Sequence, residues 1–468
     1  MRSALFVLLS LLTLNGVCKE TTIRGLAPHY IGQSVRVNAY QDYISMVEKS
    51  LATTTVLADS TFETTIDLDR TTELVLHFGQ SYAVIFADPG RDYQLLVPPP
   101  EQSSAPYKVQ EEEVGVYIEN LRGSDINHLI FDFHDYLDNF MYWTFDIIGS
   151  ESFSDSLRSF KTVLSLRYDP VDHDYFQNYV IYSVASLDMI NHIDIDQEKL
   201  QIQRFLLYLE EEPVRYENPM YMKYVQDFFK DYFARLPITR ERKVFKYLAT
   251  NETDSLDWLL SLDPFLSRDS LRSLVILNSL QEAYMSEDFP QEKVLEMIHE
   301  YGNQSDMEFV SMIANNLENR LRRMDPGQPA PDFEVTTISG ETRTLSDYTG
   351  EYLYITFFSP ECSACLEEMN IMPTLHERYG TQFRFLSLAV EPDEALTKFA
   401  QSHPTYYWDI ASIRNSEELL TRYEITQFPA YVLIDKEGNI LQAPAYAPSP
   451  SGNYTSIDRT FFELSKTD

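Results

Sequence analysis

The sequence predicts three folded regions of different class: a β-sandwich-like region at residues 19–97, an all-α region at residues 115–325 and an α/β region at residues 326–468. Hydrophobic residues recur at every second position in the first region and at helical spacing in the second, whereas strand-like and helix-like segments alternate in the third. Proline-rich segments separate the regions. The chain of 468 residues is long enough for each region to bury its own core.

Residues 1–18 have the pattern of a secretory signal peptide. A single basic residue precedes an apolar run at residues 4–14, which is shorter than the ~18 apolar residues of a membrane span. Cleavage before Lys19 fits this pattern. The alternative is a lipoprotein signal with Cys18 as the lipidated residue, although Val17 departs from the small residue usual at that position. We therefore expect an exported protein whose only membrane attachment is a possible lipid at Cys18.

Residues 19–97 alternate polar and apolar side chains, which is typical of strands that bury one face. Ser34–Tyr40 and Thr61–Leu68 show this alternation, and turn residues recur every ~8–12 positions, as in small β-sandwiches. Three prolines and a Gln/Ser/Glu-rich stretch then predict a linker at residues 98–114.

Residues 115–325 carry apolar residues at helical spacing. Leu129, Phe133, Leu137 and Phe140 mark one amphipathic face, and similar faces recur along the region. The pattern predicts roughly eight to ten helices joined by short polar loops.

The segment Asp325–Asp332 contains three prolines and a glycine, which end the last helix and begin an extended stretch. Beyond it, Glu351–Phe358 is predicted as a strand and Cys365–Tyr379 as a helix. Further strands and helices alternate after them, which predicts a mainly parallel sheet with helices on its faces. Asp435–Asn439 predicts the turn of a closing hairpin.

Acidic residues outnumber basic residues by 72 to 37, which gives a formal net charge of −35. Nucleic acid and anionic membrane surfaces are therefore not expected as partners, because both repel an acidic protein. The three cysteines of the chain exclude a disulfide-rich scaffold and do not supply the ligand set of a structural zinc site. We predict neither a metal nor a cofactor.

Cys362 and Cys365 are spaced Cys-x-x-Cys between a predicted strand and a predicted helix. A thiol pair in this position indicates redox chemistry. Because free N–H groups and the helix dipole favour a thiolate at a helix N-terminus, Cys362 is the predicted nucleophile. Cys365 lies one turn further along, and we predict that it resolves the mixed disulfide that Cys362 forms with a substrate.

Four motifs follow one another in a characteristic order and spacing. They are Gly327–Phe333, the strand–Cys-x-x-Cys–helix unit, Leu388–Glu391, and Tyr423–Ala430 before the closing hairpin. Through these motifs residues 327–468 resemble the thioredoxin-like domain of TlpA/ResA-type envelope thiol-disulfide oxidoreductases. The resemblance implies a thioredoxin fold at residues 326–468 and thiol-disulfide oxidoreductase activity.

The resemblance also implies roles for residues outside the cysteine pair. Phe428-Pro429 matches the position of a cis-proline that faces the sulfurs in this family and pairs by its backbone with an extended substrate segment. Glu391 falls where this subfamily carries an acid near the second cysteine. There, burial would raise the pKa of Glu391, and it would take the proton from Cys365. The alternatives are an ordinary strand-start proline and a solvated carboxylate.

The sequence departs from common thioredoxins around the cysteines. Glu361 replaces the usual tryptophan before the first cysteine, and Ser363 and Ala364 lie between the two cysteines without a proline. A carboxylate beside Cys362 destabilises its thiolate, and loss of thiolate stabilisation favours the reducing end of the range of potentials. These redox-tuning residues lead us to predict a disulfide reductase.

Two other functions remain open from the sequence. A thiol peroxidase shares the entry motif, but Pro360 is five residues before Cys365 instead of the seven that its motif needs. A non-enzymatic exported binding or scaffold protein with a redox-sensitive domain is the third interpretation. For the reductase we expect protein or small-molecule disulfides as substrates, a membrane or envelope electron donor, and a location in the periplasm or cell envelope.

Overall fold

The computed structural model describes most of the chain. The described residues are 18–79, 81–99, 112–190, 197–286, 288–413, 418–450 and 456–466. Apart from Cys18, the predicted signal peptide at residues 1–18 lies outside this part of the chain, as does most of the predicted linker at 98–114. Within the described ranges, no helix has the length and apolar character needed to cross a bilayer.

The described N-terminal residues form two sheets. Their strands are β1 (Lys19–Leu26), β2 (Ser34–Tyr40), β3 (Glu48–Thr55), β4 (Thr61–Leu68), β5 (Thr72–Phe78), β6 (Ser81–Ala87), β7 (Asp92–Leu96), β8 (Glu112–Glu113) and β9 (Tyr117–Ile118). One sheet has the order β4-β1-β7-β9 and the other β3-β2-β5-β6-β8. Side chains from both sheets, among them Ile23, Val37 and Phe62, meet in one buried cluster, which explains the period-two pattern of this region.

Strands β8 and β9 lie beyond residue 97, where we predicted the linker and the start of the helical region. β9 pairs with β7 in antiparallel fashion, so the N-terminal sheets continue to Ile118. Strands of two residues are too short to display a period of two. The domain limits themselves stay predictions.

The described central residues form ten α-helices, in agreement with the predicted helical region. They are α1 (Ile126–Thr144), α2 (Glu151–Tyr168), α3 (Asp174–Ile190), α4 (Gln197–Tyr208), α5 (Pro219–Phe228), α6 (Ile238–Thr250), α7 (Thr253–Ser261), α8 (Asp269–Met285), α9 (Gln291–Gln304) and α10 (Glu308–Arg322). Asn316 on α10 donates to Asp42 Oδ2 at 2.8 Å, and Arg320 donates to the Ser45 carbonyl. The end of α10 is therefore held against the loop that joins β2 to β3.

The C-terminal residues form one mixed sheet flanked by helices. Its strands are β10 (Glu334–Thr337), β11 (Thr342–Thr344), β12 (Tyr352–Phe357), β13 (Phe383–Ala389), β14 (Asp409–Ser412), β15 (Ala430–Ile434) and β16 (Ile440–Gln442), in the order β11-β10-β14-β13-β12-β15-β16. The helices are α11 (Ser363–Met369), α12 (Met372–Tyr379), α13 (Asp393–Ser402), α14 (Glu418–Arg422) and α15 (Ile457–Leu464). β12, β13 and β14 are parallel, whereas β15 runs antiparallel to β12 and to β16.

The helix predicted at Cys365–Tyr379 is wrong as a single element, because the structure divides it into α11 and α12. The break falls at Asn370 and Ile371, and Pro373 lies in the first turn of α12. Proline has no N–H to donate to the preceding turn, and its ring collides with the carbonyl four residues earlier. The cysteine pair therefore sits on a short helix of its own.

The sheet topology brings three chain segments together at one edge. β12 ends at Phe357, just before the cysteine segment, and its parallel neighbour β13 ends at Ala389, just before Glu391. β15 begins at Ala430, directly after Pro429, and Ala430 pairs with Phe357. The carboxyl ends of parallel strands are the usual position for functional groups in such sheets.

Candidate active site

The first cysteine caps the helix that carries the second. Cys362 is the N-cap residue of α11, and its Sγ accepts a hydrogen bond from the Cys365 amide at 3.2 Å. Cys362 is 5 % exposed and Cys365 is fully buried. The structure thus places the sulfur of Cys362 at the helix N-terminus, with Cys365 behind it.

The two thiols have different surroundings. Burial is the main cause that raises the pKa of Cys365 to about 12, and the hydrogen bond with Cys362 raises it further. The nearby Ser359 backbone acts in the opposite direction and lowers this pKa. Cys365 therefore keeps its proton at neutral pH, which suits a cysteine that reacts second.

The Phe428-Pro429 peptide bond is cis, as the family resemblance implied. The Phe428 carbonyl lies 4.0 Å from Cys362 Sγ, and Phe428 is buried. The backbone of this turn therefore lies opposite the sulfur of Cys362.

Glu391 lies near the dithiol but is connected to it indirectly. Its Oε1 accepts a hydrogen bond from Ser359 Oγ at 2.5 Å, and its Oε2 is buried without a hydrogen-bond partner among the described residues. Burial raises the pKa of Glu391, and the charge of Glu361 raises it further, against the hydrogen bond from Ser359. In the described part of the chain, no hydrogen bond joins Glu391 to Cys365.

Ser359 connects the acid to the cysteine segment, and the sequence reasoning missed it. Its hydroxyl donates to Glu391 and accepts from the Glu361 amide at 3.2 Å, while its carbonyl accepts from the Cys362 amide at 3.1 Å. Ser359 is 2 % exposed. The sequence did offer one signal for Ser359: it is a hydroxyl residue between an apolar strand and the cysteine motif.

Tyr431 is a second residue that the sequence reasoning missed. It follows Pro429 by two positions, and its buried hydroxyl makes no hydrogen bond with the described residues. Burial raises its pKa, and the charges of Glu368 and of both cysteines act in the same direction. Its ring stacks on that of Tyr354, with the centroids 5.6 Å apart.

The residues predicted to tune the dithiol occupy the start of α11. Glu361, Ser363 and Ala364 are all exposed. The charge of Glu361 acts on Glu391 by raising its pKa, so the structure adds an effect that the sequence reasoning did not include. Among the described residues, no group of three or more His, Cys, Asp or Glu side chains is arranged to hold a metal ion.

Replacing Glu391 by glutamine should change how stability depends on pH. Because the pKa of Glu391 is raised in the folded state, the folded protein binds this proton more tightly than the unfolded chain does. Stability should therefore fall as pH rises from the unfolded value of about 4.3 through the folded pKa. Glu391→Gln should lose this fall and gain in melting temperature over wild type as the pH is raised to neutrality. Parallel melting curves of the two proteins across the pH range would contradict the assignment.

Comparison with known proteins finds relatives of the C-terminal part of the chain. The model of the AhpC/TSA family matches residues 326–443. The thiol-disulfide oxidoreductase ResA of Geobacillus kaustophilus is 32 % identical over 118 residues, which cover 25 % of this chain and 67 % of the relative. ResA of Bacillus cereus is 29 % identical over 127 residues, with 26 % and 72 % covered. Among solved structures, the thioredoxin domain of a thiol-disulfide oxidoreductase from Bacteroides vulgatus is 21 % identical, with a TM-score of 0.26. The match covers 30 % of this chain and 96 % of that domain.

The matched residues coincide with the sheet that carries the cysteine pair. The resemblance stated from the motifs is therefore confirmed, as is a thioredoxin-like domain at the C-terminus of the chain. Through this domain the chain belongs to the family of ResA-type thiol-disulfide oxidoreductases.

Proposed function

We propose that this protein is an exported disulfide reductase in which Cys362 and Cys365 form the reactive dithiol. The observation that carries the proposal is the position of Cys362 Sγ, which accepts the Cys365 amide at the start of α11 and lies 4.0 Å from the Phe428 carbonyl. A thiolate at this position is stabilised by the amide and is directed at the turn where a substrate would lie.

The reaction proceeds in two exchange steps. The Cys362 thiolate attacks one sulfur of a substrate disulfide, forms a mixed disulfide and releases the other sulfur as a thiolate. Cys365 then loses its proton and attacks Cys362 Sγ, which releases the second substrate thiol. The substrate gains two electrons and the enzyme keeps a Cys362–Cys365 disulfide. Glu391, held by Ser359 beside the cysteine segment, is the proposed acceptor of the Cys365 proton.

The raised pKa of Cys365 favours reduction over oxidation as the direction of the reaction. A dithiol whose reduced form has only weak thiolate stabilisation gives up electrons readily, whereas strong oxidants of this fold have a strongly stabilised thiolate. Burial opposes ionisation of Cys365, and the exposed carboxylate of Glu361 directly precedes Cys362. Ser363 and Ala364 complete the segment that tunes this balance.

The remaining parts of the proposal concern partners and location. The backbone at Phe428 and Pro429 pairs with an extended substrate segment, so protein disulfides are the principal substrates, with small disulfides also accepted. A membrane or envelope donor supplies the electrons that restore the dithiol. The predicted signal peptide supports a location in the periplasm or cell envelope, with a lipid at Cys18 as the alternative anchor.

The midpoint potential of the Cys362–Cys365 couple tests the direction of the reaction. We expect a value at or below about −200 mV, towards the ~−270 mV of thioredoxin, and catalysed reduction of insulin disulfides. A potential near the ~−120 mV of the oxidant DsbA would contradict a reductase. Rapid consumption of peroxide without any protein disulfide substrate would favour a thiol peroxidase instead.

A further inference from the structure

A cleft of about 890 Å³ lies where the three parts of the chain meet. The N-terminal sheets, the end of the helical part and the α14 region of the C-terminal part all contribute to its walls. Met324, which leads from α10 into the C-terminal part, lies between them. Because Asn316 and Arg320 fix α10 on the loop between β2 and β3, the N-terminal and helical walls of the cleft are held in place relative to each other.

The cleft continues into a groove that reaches the proposed substrate turn. This groove, of about 360 Å³, is lined by Gln427, Pro429 and Tyr431, and it shares Met324 and Ile425 with the cleft. Gln427 and Pro429 flank Phe428, whose carbonyl faces Cys362 Sγ. A polypeptide segment that pairs at this turn would therefore continue along the groove into the cleft.

The charge of the cleft is opposite to that of the protein. Four arginines line it, against three carboxylates, which gives 4 − 3 = +1 in a chain with a net charge of −35. The arginines are Arg36, Arg320, Arg323 and Arg422, and the carboxylates are Glu48, Asp325 and Glu424. Glu48 is already bound to His77 Nε2 and to Asn38 Nδ2, each at 2.7 Å. One of the three carboxylates is thus occupied within the protein.

Two of the arginines have side chains that are available to a ligand. The guanidinium groups of Arg323 and Arg422 make no ion pair or hydrogen bond with the described residues, and both side chains are half-buried in the cleft wall. Arg323 comes from the end of α10 and Arg422 from the end of α14. Each guanidinium carries five N–H donors in a planar arrangement that matches a carboxylate.

We propose that this cleft binds an acidic segment of the polypeptide whose disulfide is reduced. Arg323 and Arg422 would hold its carboxylates while the neighbouring residues pair at Phe428-Pro429, so the cleft would select acidic polypeptides among possible disulfide substrates. This proposal rests on the proposed function. The net charge of −35 repels an acidic substrate at long range, so selection of an acidic segment depends on its short-range contacts with these two arginines.

Three synthetic peptides test the proposal. Each carries the same disulfide, and they differ only in whether four glutamates, four glutamines or four lysines follow it. For the wild-type protein, kcat/KM should be at least tenfold higher with the glutamate peptide than with the glutamine peptide, mainly through KM, and lowest with the lysine peptide. This order should weaken as salt is added, because salt screens exposed charges.

Two double variants of equal charge change complete the test. Arg323→Gln/Arg422→Gln should remove the preference for glutamate, whereas Arg122→Gln/Arg242→Gln, at exposed positions outside the cleft, should keep it. All three proteins should reduce the uncharged hydroxyethyl disulfide at the same rate. Equal turnover of the three peptides by the wild type, or an unchanged preference in the first variant, would overturn the proposal.

A binding measurement separates this proposal from the proposed function. A fluorescent, disulfide-free glutamate peptide should bind wild-type protein more tightly than its glutamine counterpart, as judged by anisotropy. If the wild type reduces no disulfide at all, the proposed function fails, and the anisotropy result alone decides whether the cleft takes acidic segments. Equal affinity for both peptides would reject the cleft even in an active reductase.

Discussion

Replacing Cys362 by serine should lower the rate of insulin disulfide reduction by at least about a thousandfold, because a serine hydroxyl does not supply the thiolate nucleophile. Cys365 cannot replace Cys362 as the nucleophile, because Cys365 is fully buried behind it and its raised pKa keeps it protonated. The rate is measured with purified protein and a supply of reductant that does not itself reduce insulin at a comparable rate.

Cys365→Ser provides the complementary result. Attack by Cys362 is retained, but resolution is lost, so the variant should accumulate a mixed disulfide with its substrate that mass spectrometry detects. The Cys362→Ser/Cys365→Ser double variant is the control, because it has neither the nucleophile nor the resolving thiol, and it should neither reduce the substrate nor capture it. An active Cys362→Ser protein, or a Cys365→Ser protein that captures no substrate, would contradict the assigned roles.

Replacing Phe357 by alanine should cost about 3–5 kcal/mol of stability in the C-terminal domain, the usual range for loss of a buried phenylalanine. Phe357 is fully buried, and its ring lies 5.5 Å from that of Tyr423. It also ends β12, directly before the cysteine segment. Loss of its ring should therefore loosen the position of Cys362 as well as the core.

The unfolding of this domain needs its own probe, because a chain of several domains does not unfold in one step. Trp143 and Trp258 are 77 % and 55 % exposed, whereas Trp408 is 8 % exposed within the C-terminal core. Replacing the first two tryptophans by phenylalanine leaves Trp408 as the fluorescent reporter. Phe462→Ala is the matched control, because Phe462 is 50 % exposed, and its loss should cost less than about 1 kcal/mol. Similar costs for the two alanine variants would refute the central position of Phe357.

Local sequence patterns predicted the longer strands and helices, because the burial of each of these elements repeats at a fixed spacing along the chain. The alternation in Ser34–Tyr40 and Thr61–Leu68 matches β2 and β4, because a strand with one buried face records its burial at every second residue. The helices of the central part likewise bury one face, so their apolar residues recur at helical spacing. Short elements such as β8, β9 and β14 were not predicted, since a pattern cannot show a period within two to four residues.

The residues of the candidate site also fall into those that the sequence predicted and those that it did not. The spacing of Cys362 and Cys365 at a strand-to-helix junction already indicated a redox pair, and the motif resemblance pointed to Glu391 and to the Phe428-Pro429 turn. Ser359 was not predicted, because what distinguishes it is a hydrogen bond to Glu391, which lies 32 positions away in the chain. The position of Pro373 was visible in the sequence, but its effect in dividing α11 from α12 was not drawn from it.

The sequence by itself determined that this protein carries a single Cys-x-x-Cys pair at the start of a helix, within a domain of ResA type. Spacing along the chain carries that information, because the two cysteines and the helix that follows them are neighbours in sequence. Only the tertiary structure decided that Ser359 links Glu391 to the cysteine segment and that Arg323 and Arg422 face one cleft. These contacts join residues far apart in the chain, and their distances depend on how strands and helices pack.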